Sequence, residues 1–362
     1  DRAVKARRGW RWDVIAHDRA SAPLRWMASG VRQRTSEAIA RRALAAAPYP
    51  IVVAAFSRMH AELVRAILRE RCDFIYGGTS GALSAVAEAA RRSGTAFALD
   101  LEDFHCGEHA PTEWGTLRNE LAAMVIENAI AGARFVTTGS AAIGNACEQR
   151  FGIRPLTINN VFPIPGSPTP SGARDLRLYW FSQTIGTGRG LEEVVRAAGL
   201  AKLRGELHLR GALANGYRPG LEALAARTAP ALRLVHHGPG DPDHLVDSCR
   251  AFDVGLSLEP GHTPNNALSL SNKALTYPLA GLAMAITDTP GQHPLAADLG
   301  SDALVYAPGQ VERLAEGLAR WDRAPALLRQ AKDAAWHAAR ARWHWEHPLE
   351  REQLLSAVEA AA

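Results

Sequence analysis

The sequence has 362 residues, 47% hydrophobic and 22% charged, which are the proportions of a soluble globular protein with room for two domains. Its apolar runs break well short of the roughly 20 residues that cross a bilayer, and no signal-peptide layout is present, so a cytoplasmic protein is expected. Cys72, Cys106, Cys147 and Cys249 lie far apart with no CxxC pair, which excludes a zinc ribbon or a disulfide scaffold.

The net charge of +4 hides an asymmetry. Residues 1–71 carry 15 Lys+Arg against 6 Asp+Glu, and the remainder carries 26 against 31. A basic N-terminal face suits an anionic membrane surface or a phosphate-bearing substrate, with a merely solvated arginine-rich surface as the plain alternative. Nucleic acid is not expected, because no binding module or aromatic–basic repeat accompanies the charge.

In chain order, residues 12–16, 51–55, 74–76, 96–100, 135–138 and 155–158 read as short strands, with helices over 59–70, 82–93 and 116–131 between them. Such alternation predicts a parallel sheet with right-handed crossovers. A doubly wound domain begins on a strand, whereas this chain opens at Asp1 on a short helical segment, so a first strand is expected upstream. Residues 162–172, with four prolines and two glycines, read as an interdomain linker. Beyond it the alternation restarts with strands at 176–181, 206–210, 233–237, 253–258, 283–287 and 303–306, then a final helix from Glu346 to Ala362. The expected domains are 1–163 and 174–340, joined by a linker at 164–173 and followed by a C-terminal helical segment at 341–362.

Two stretches in the second half carry chemistry. The strand 176–181 runs through Ser182 and Gln183 into a loop with Gly186, Gly188, Arg189 and Gly190, then a helix from Leu191. Glycines let backbone N–H groups turn toward a ligand, and an arginine at the helix start forks onto phosphate oxygens. Then Ser271-Asn272-Lys273 opens a helix just after the apolar run 252–258 and its exit at Glu259-Pro260-Gly261. The chain has only four lysines, so a lysine at a helix N-terminus reads as a point charge for an anion. Two cations at strand carboxyl ends are placed to clamp a diphosphate. Asp241-Pro242-Asp243 looks like a metal-binding DxD, but the helix that follows favours an N-cap. In the first half, residues 100–109 follow a strand end with several titratable groups. Asp103 and His105 are the candidates to orient an acceptor hydroxyl or take its proton.

These motifs resemble a known family. SQTIGTGRGLE at 182–192, SNKALTYPLAG at 271–281 and TDTPGQ at 287–292 look like the donor half of GT-B glycosyltransferases. They are most similar to the retaining, family-4-like branch with an NK-x-x-E-Y-x-x-x-G helix. Residues 133–140, 151–163 and Trp345-Glu346 resemble further segments of that branch, so the resemblance spans nearly the whole chain. It implies an α/β GT-B fold: two doubly wound Rossmann-like domains facing across a cleft, with the C-terminal helix crossing back to the first. It also implies a bacterial, peripheral-membrane hexosyltransferase. Such an enzyme moves a sugar from a nucleotide-sugar donor to a glycan or lipid-linked acceptor, with retention, no metal and no cofactor.

By the resemblance, Arg189 and Lys273 hold the diphosphate and stabilise the leaving group. Ser182, Gln183, Gly186, Gly188, Gly190, Ser271, Asn272 and Thr276 line the donor. One departure is plain. The branch carries a Glu-x7-Glu pair, and those places hold Leu268 and Thr276 here, leaving Thr276 as the candidate ribose contact. That loss keeps two other classes open: a GT-B protein that binds a glycan or partner without turnover, and another sugar-nucleotide enzyme of the same architecture, such as an epimerase or phosphorylase.

Overall fold

The computed structural model describes residues 11–168 and 175–361. The expected upstream strand and residues 169–173 of the expected linker lie outside the described residues. The chain forms two compact units, one up to Ile158 with Thr263–Asn265 and Gln353–Ala362, the other Asn159–His262 with Asn266–Glu352. Each is built on a parallel sheet, and together they are two Rossmann-like α/β units.

In the first unit, three helices come first: α1 (Pro23–Arg42), α2 (Tyr49–Phe56) and α3 (His60–Ile67). Then β1 (Phe74–Gly78), α4 (Leu83–Ser93), β2 (Ala96–Asp100), α5 (Glu113–Ile130), β3 (Val136–Thr138), α6 (Ala141–Phe151) and β4 (Leu156–Thr157) alternate. The sheet order is β1-β2-β3-β4, every pair parallel. Four of the six strands expected here are therefore present, and two are corrected. Residues 12–16 form no strand, and 51–55 are helical within α2. Periodicity does not separate a short buried helix from a strand in an apolar run. Pro50 settles it in favour of a helix, being tolerated in a first helical turn but not inside a central strand. Val52, Val53, Ala55 and Phe56 are then buried in one cluster with Ala40 of α1 and Leu121 and Val125 of α5.

The second unit runs β5 (Leu176–Ile185), α7 (Leu191–Leu200), β6 (Gly205–Leu213), α8 (Tyr217–Thr228), β7 (Leu232–His236), α9 (Leu245–Cys249) and β8 (Val254–Ser257). It continues with α10 (Pro264–Leu268), α11 (Asn272–Leu279), β9 (Ala283–Thr287), α12 (His293–Leu299), β10 (Leu304–Tyr306), α13 (Val311–Arg323), α14 (Pro325–Ala341) and α15 (Pro348–Ala361), of which Pro264, Asn265 and the residues from Gln353 on belong to the first unit. All six strands expected from the sequence are found. Their order is β10-β9-β8-β5-β6-β7, all parallel, so the winding reverses between β5 and β8. At such a switch point the loops after the two strands part and leave a crevice at their carboxyl ends. Apolar residues fill both faces of this sheet, with Tyr179, Trp180 and Tyr277 wholly buried. A buried carboxylate ties the first residue of the unit to α15. Glu350, fully buried, accepts from both Arg342 terminal nitrogens at 3.0 and 2.7 Å and from Asn159 Nδ2 at 2.8 Å.

Packing at β8 is tight enough to test. A Cβ on Gly255 would lie 2.3 Å from Cγ of the buried Tyr277 ring, which has no room to withdraw. Gly255→Ala is expected to cost about 1–3 kcal/mol through overpacking. Urea unfolding should show it as a lowered midpoint, and an unchanged midpoint would mean the core gives way there.

Candidate active site

The second unit gathers three strand ends around the switch point. The first is that of β5. Its pairing with β6 shifts register between Phe181 and Thr184, so half-buried Ser182 and exposed Gln183 form an irregularity in the strand. Gly211 of β6 allows this. Its φ is 145°, and a Cβ there would lie 2.1 Å from Ser182 O. The chain then turns through Gly186, Gly188 and Gly190. Gly188 and Gly190 have φ of 71° and 76°, the left-handed region that glycine enters without strain. Gly190 caps α7, and a Cβ on it would come within 3.1 Å of Leu258 Cβ, while one on Gly188 would lie 3.7 Å from His262 Cδ2. The glycine loop therefore lies directly on the exit of β8. Arg189 is exposed and has no ion-pair partner among the described residues.

At the exit of β8 is a group that motif reading passed over. Glu259 is buried, and its Oε1 lies 3.0 Å from Lys273 Nζ while its Oε2 accepts from Asn266 Nδ2 at 2.6 Å. Its own N–H donates to Thr287 Oγ1 at 2.9 Å. Lys273, in the first turn of α11, is itself mostly buried and stands 5.8 Å from the centre of the Trp180 ring. The lysine is thus not a loose surface charge. Glu259 holds it in place as an ion pair rather than through an aligned hydrogen bond.

Beside it, Ser271 precedes α11 without capping it, and its Oγ is buried with no hydrogen-bond partner. Asn272 is exposed. Thr276 is placed otherwise than the ribose reading requires. It is fully buried, and its hydroxyl donates to Asn272 O at 2.6 Å, so it packs the helix interior.

The third strand end, after β9, is tied to β8. Gln292 is fully buried, bonds Ser257 Oγ, and donates to Thr287 Oγ1 at 2.7 Å and Thr287 O at 3.1 Å. Gly291 N–H donates to Ala267 O at 3.0 Å, and a Cβ on Gly291 would lie 2.4 Å from Leu268 O. The TDTPGQ segment thus works as a backing strut. Thr289 Oγ1, buried within it, has no hydrogen-bond partner.

In the first unit, Asp103 and His105 follow β2. The turn is forced: Glu102 has φ of 31°, and its carbonyl accepts from Gly139 N–H at 3.0 Å. A non-glycine residue held at positive φ beside a strand end is a common mark of a functional loop. Within this unit Asp103 Oδ1 accepts from Asn265 Nδ2 at 3.1 Å, and Asn265 Oδ1 accepts from Phe104 N–H at 2.7 Å. His105 is buried; its Nδ1 pairs with Glu108, and its Nε2 has no partner. Burial alone would raise the Glu108 carboxyl, but the His105 hydrogen bond and the charges of His105, His109 and Arg118 hold it below the ordinary value. Burial pushes the neighbouring Cys106 thiol up to about 11, so it is no thiolate nucleophile. Asp241 accepts from Asp243 N–H at 3.0 Å as an N-cap, and among the described residues no group of three or more His, Cys, Asp or Glu is placed to hold a metal.

No protein-family model matches the chain, and no curated protein does. Solved structures do match. HepE of Anabaena, solved with UDP, aligns with TM-score 0.65 at 16% identity over 83% of this chain and 82% of its own. Sucrose-phosphate synthase of Thermosynechococcus elongatus aligns with TM-score 0.68 at 16% identity over 84% and 78%. The fold is GT-B. TarM, also solved from S. aureus with UDP, aligns with TM-score 0.66 at 11% identity over 82% of this chain and 58% of TarM. The glycine loop, Lys273 and the TDTPGQ strut lie at neighbouring strand ends of the second unit, while the Glu259 and Glu108 pairings were not visible in the sequence.

The Glu108 pairing gives a pH dependence of known sign. A carboxyl held low in the folded state contributes stability above its unfolded value of about 4.3, lost as pH falls through the folded value. Between pH 5 and 3 the melting temperature of the native protein should fall more steeply than that of Glu108→Gln. Parallel slopes would show that the pairing is not a stabilising one.

Proposed function

We propose that the chain is a glycosyltransferase that moves a hexosyl group from a nucleotide-sugar donor to a hydroxyl of a glycan or lipid-linked acceptor. The observation that carries this reading is the convergence, at the switch point of the second sheet, of a glycine loop, an unpaired Arg189 and a fixed Lys273. A nucleoside diphosphate leaving from a sugar gathers negative charge on its β-phosphate. Loop N–H groups, a guanidinium fork and an ammonium held in place offset that charge without rearranging during the reaction. The likeness to HepE and TarM, both solved with UDP, supports uridine diphosphate as the leaving group. We assign the donor contacts to Ser182, Gln183 and the glycine loop, with the unpartnered Ser271 hydroxyl and exposed Asn272 in place of the missing acidic pair.

On the acceptor side we assign Asp103 and His105, the latter oriented by Glu108 through Nδ1 so that its free Nε2 can take a proton. The assigned stereochemistry is retention by front-face transfer within the ion pair, with protein cations in the place of a metal. A second reading is favoured by one specific feature. Lys273 is already neutralised by Glu259, and neither Leu268 nor Thr276 supplies an acid, as a GT-B protein that binds without turnover would show.

Titration calorimetry with UDP, GDP, ADP and dTDP, without added metal, decides between them when paired with an assay for UDP released from UDP-sugars. Binding together with release supports the transferase, and binding without release supports the second reading. Arg189→Ala and Lys273→Ala should each weaken UDP binding about tenfold or more, as expected for lost charge-assisted bonds. Unchanged affinity in both variants would remove the clamp from the account. His105→Ala should lower turnover about a hundredfold and leave UDP affinity alone; a wild-type rate would make the histidine an ordinary loop residue.

A further inference from the structure

Helix α1 is built inside out. The residues it turns to the protein are small, Ser29, Ser36 and Ala40, and they let it pack closely on the first unit. Its bulky side chains face solvent instead: Leu24 is 78% exposed, Met27 56% and Val31 61%. Their spacing of three and four residues puts all three on one stripe of the helix. Arg34 and Arg42 extend the same stripe, exposed and with no acidic partner among the described residues. The helix has one acid, Glu37, and it turns inward to Arg118 at 3.4 Å. The outer surface of α1 is thus aliphatic at one end and cationic at the other, with no negative side chain on it.

We propose that this face of α1 seats the first unit on an anionic lipid bilayer. The occupant must be apolar at depth and negative at its surface, and a bilayer with acidic headgroups has those layers in that order. Leu24, Met27 and Val31 enter the boundary between headgroups and acyl chains, while the guanidinium groups stay at the phosphate level on their flexible stems. The excess of nine positive charges over residues 1–71 draws the same region to such a surface. No described helix is long and apolar enough to cross a membrane, so the contact is peripheral. A second copy of the chain fits less well, because an antiparallel pairing of this face sets arginine against the aliphatic end and a parallel one sets arginine on arginine. Nucleic acid fits less well too, having no apolar layer to receive aliphatic side chains, and the stripe has no aromatic ring for a base to stack on.

Cosedimentation of the full chain with vesicles tests the assignment, and it reads binding alone, so it stands whether or not the transferase reading does. At 0.1 M salt the protein should partition at least tenfold better onto phosphatidylcholine vesicles containing 30% phosphatidylglycerol than onto phosphatidylcholine alone. Leu24→Ser combined with Met27→Ser and Val31→Ser should weaken partitioning onto the acidic vesicles at least tenfold. Arg34→Glu with Arg42→Glu should do likewise, since each cation near such a surface contributes roughly fivefold. These positions are exposed, so melting temperature should stay unchanged and serve as the control for folding. No partitioning of the native protein, or partitioning that survives both variants, overturns the proposal. So does binding to a DNA duplex without vesicle binding, or a dimer in light scattering that the triple serine variant dissolves.

Discussion

The geometry at the strand ends of the second sheet depends on one buried ion pair. Removing a carboxylate and an ammonium from water is costly, and the interior returns that cost only when their remaining hydrogen-bonding capacity is met. Around Glu259 and Lys273 much of it is met by neighbours: Asn266 donates to the carboxylate, Thr287 receives the Glu259 N–H, and the indole face of Trp180 lies near the ammonium. Trp180 lies in β5, Asn266 in α10 and Thr287 at the end of β9. The pair thus draws together β5, the exit of β8, α10, β9 and α11.

That arrangement also explains why Thr289, Gly291 and Gln292 of the TDTPGQ segment are buried. Gln292 spends its amide on β8 and β9, and Gly291 lets the backbone approach the 268 carbonyl closely. The loops meant to be rigid are tied by buried polar side chains, while Arg189 and Asn272 are left exposed at the rim. Fixed groups behind and free groups in front are what electrostatic stabilisation of a leaving group requires.

Much of this was legible in the sequence, unevenly. Every strand of the second unit could be placed, because a parallel sheet covered on both faces writes continuous apolar runs separated by polar turns. The first unit was harder. The run at 51–55 has the same composition as a buried strand, and only the helix-compatible Pro50 and its packing against α1 and α5 decide it. The glycine loop and Lys273 were found because glycine and charge are marked by residue type. Glu259 was overlooked because its meaning lies in a partner 14 positions on, and a sequence does not say which way a glutamate turns at a strand exit. Thr276 shows the same limit: the Glu-x7-Glu spacing gives its position on a helix but not that this side is interior. The reversal in α1 escaped periodicity altogether, since small polar residues inside and large apolar ones outside cancel the usual amphipathic signal.

The carboxylate of Glu350 has a consequence for the order of assembly. It joins Asn159, the first residue of the second unit, to a helix 191 positions later. A chain emerging from the ribosome can complete the β1–β4 sheet from contiguous sequence, but Asn159 waits for Glu350 until after every strand of the second sheet has been made. Contacts of such long range form late and slowly. A chain interrupted just before Pro348 would hold every strand of the second sheet and leave Asn159 without its buried carboxylate.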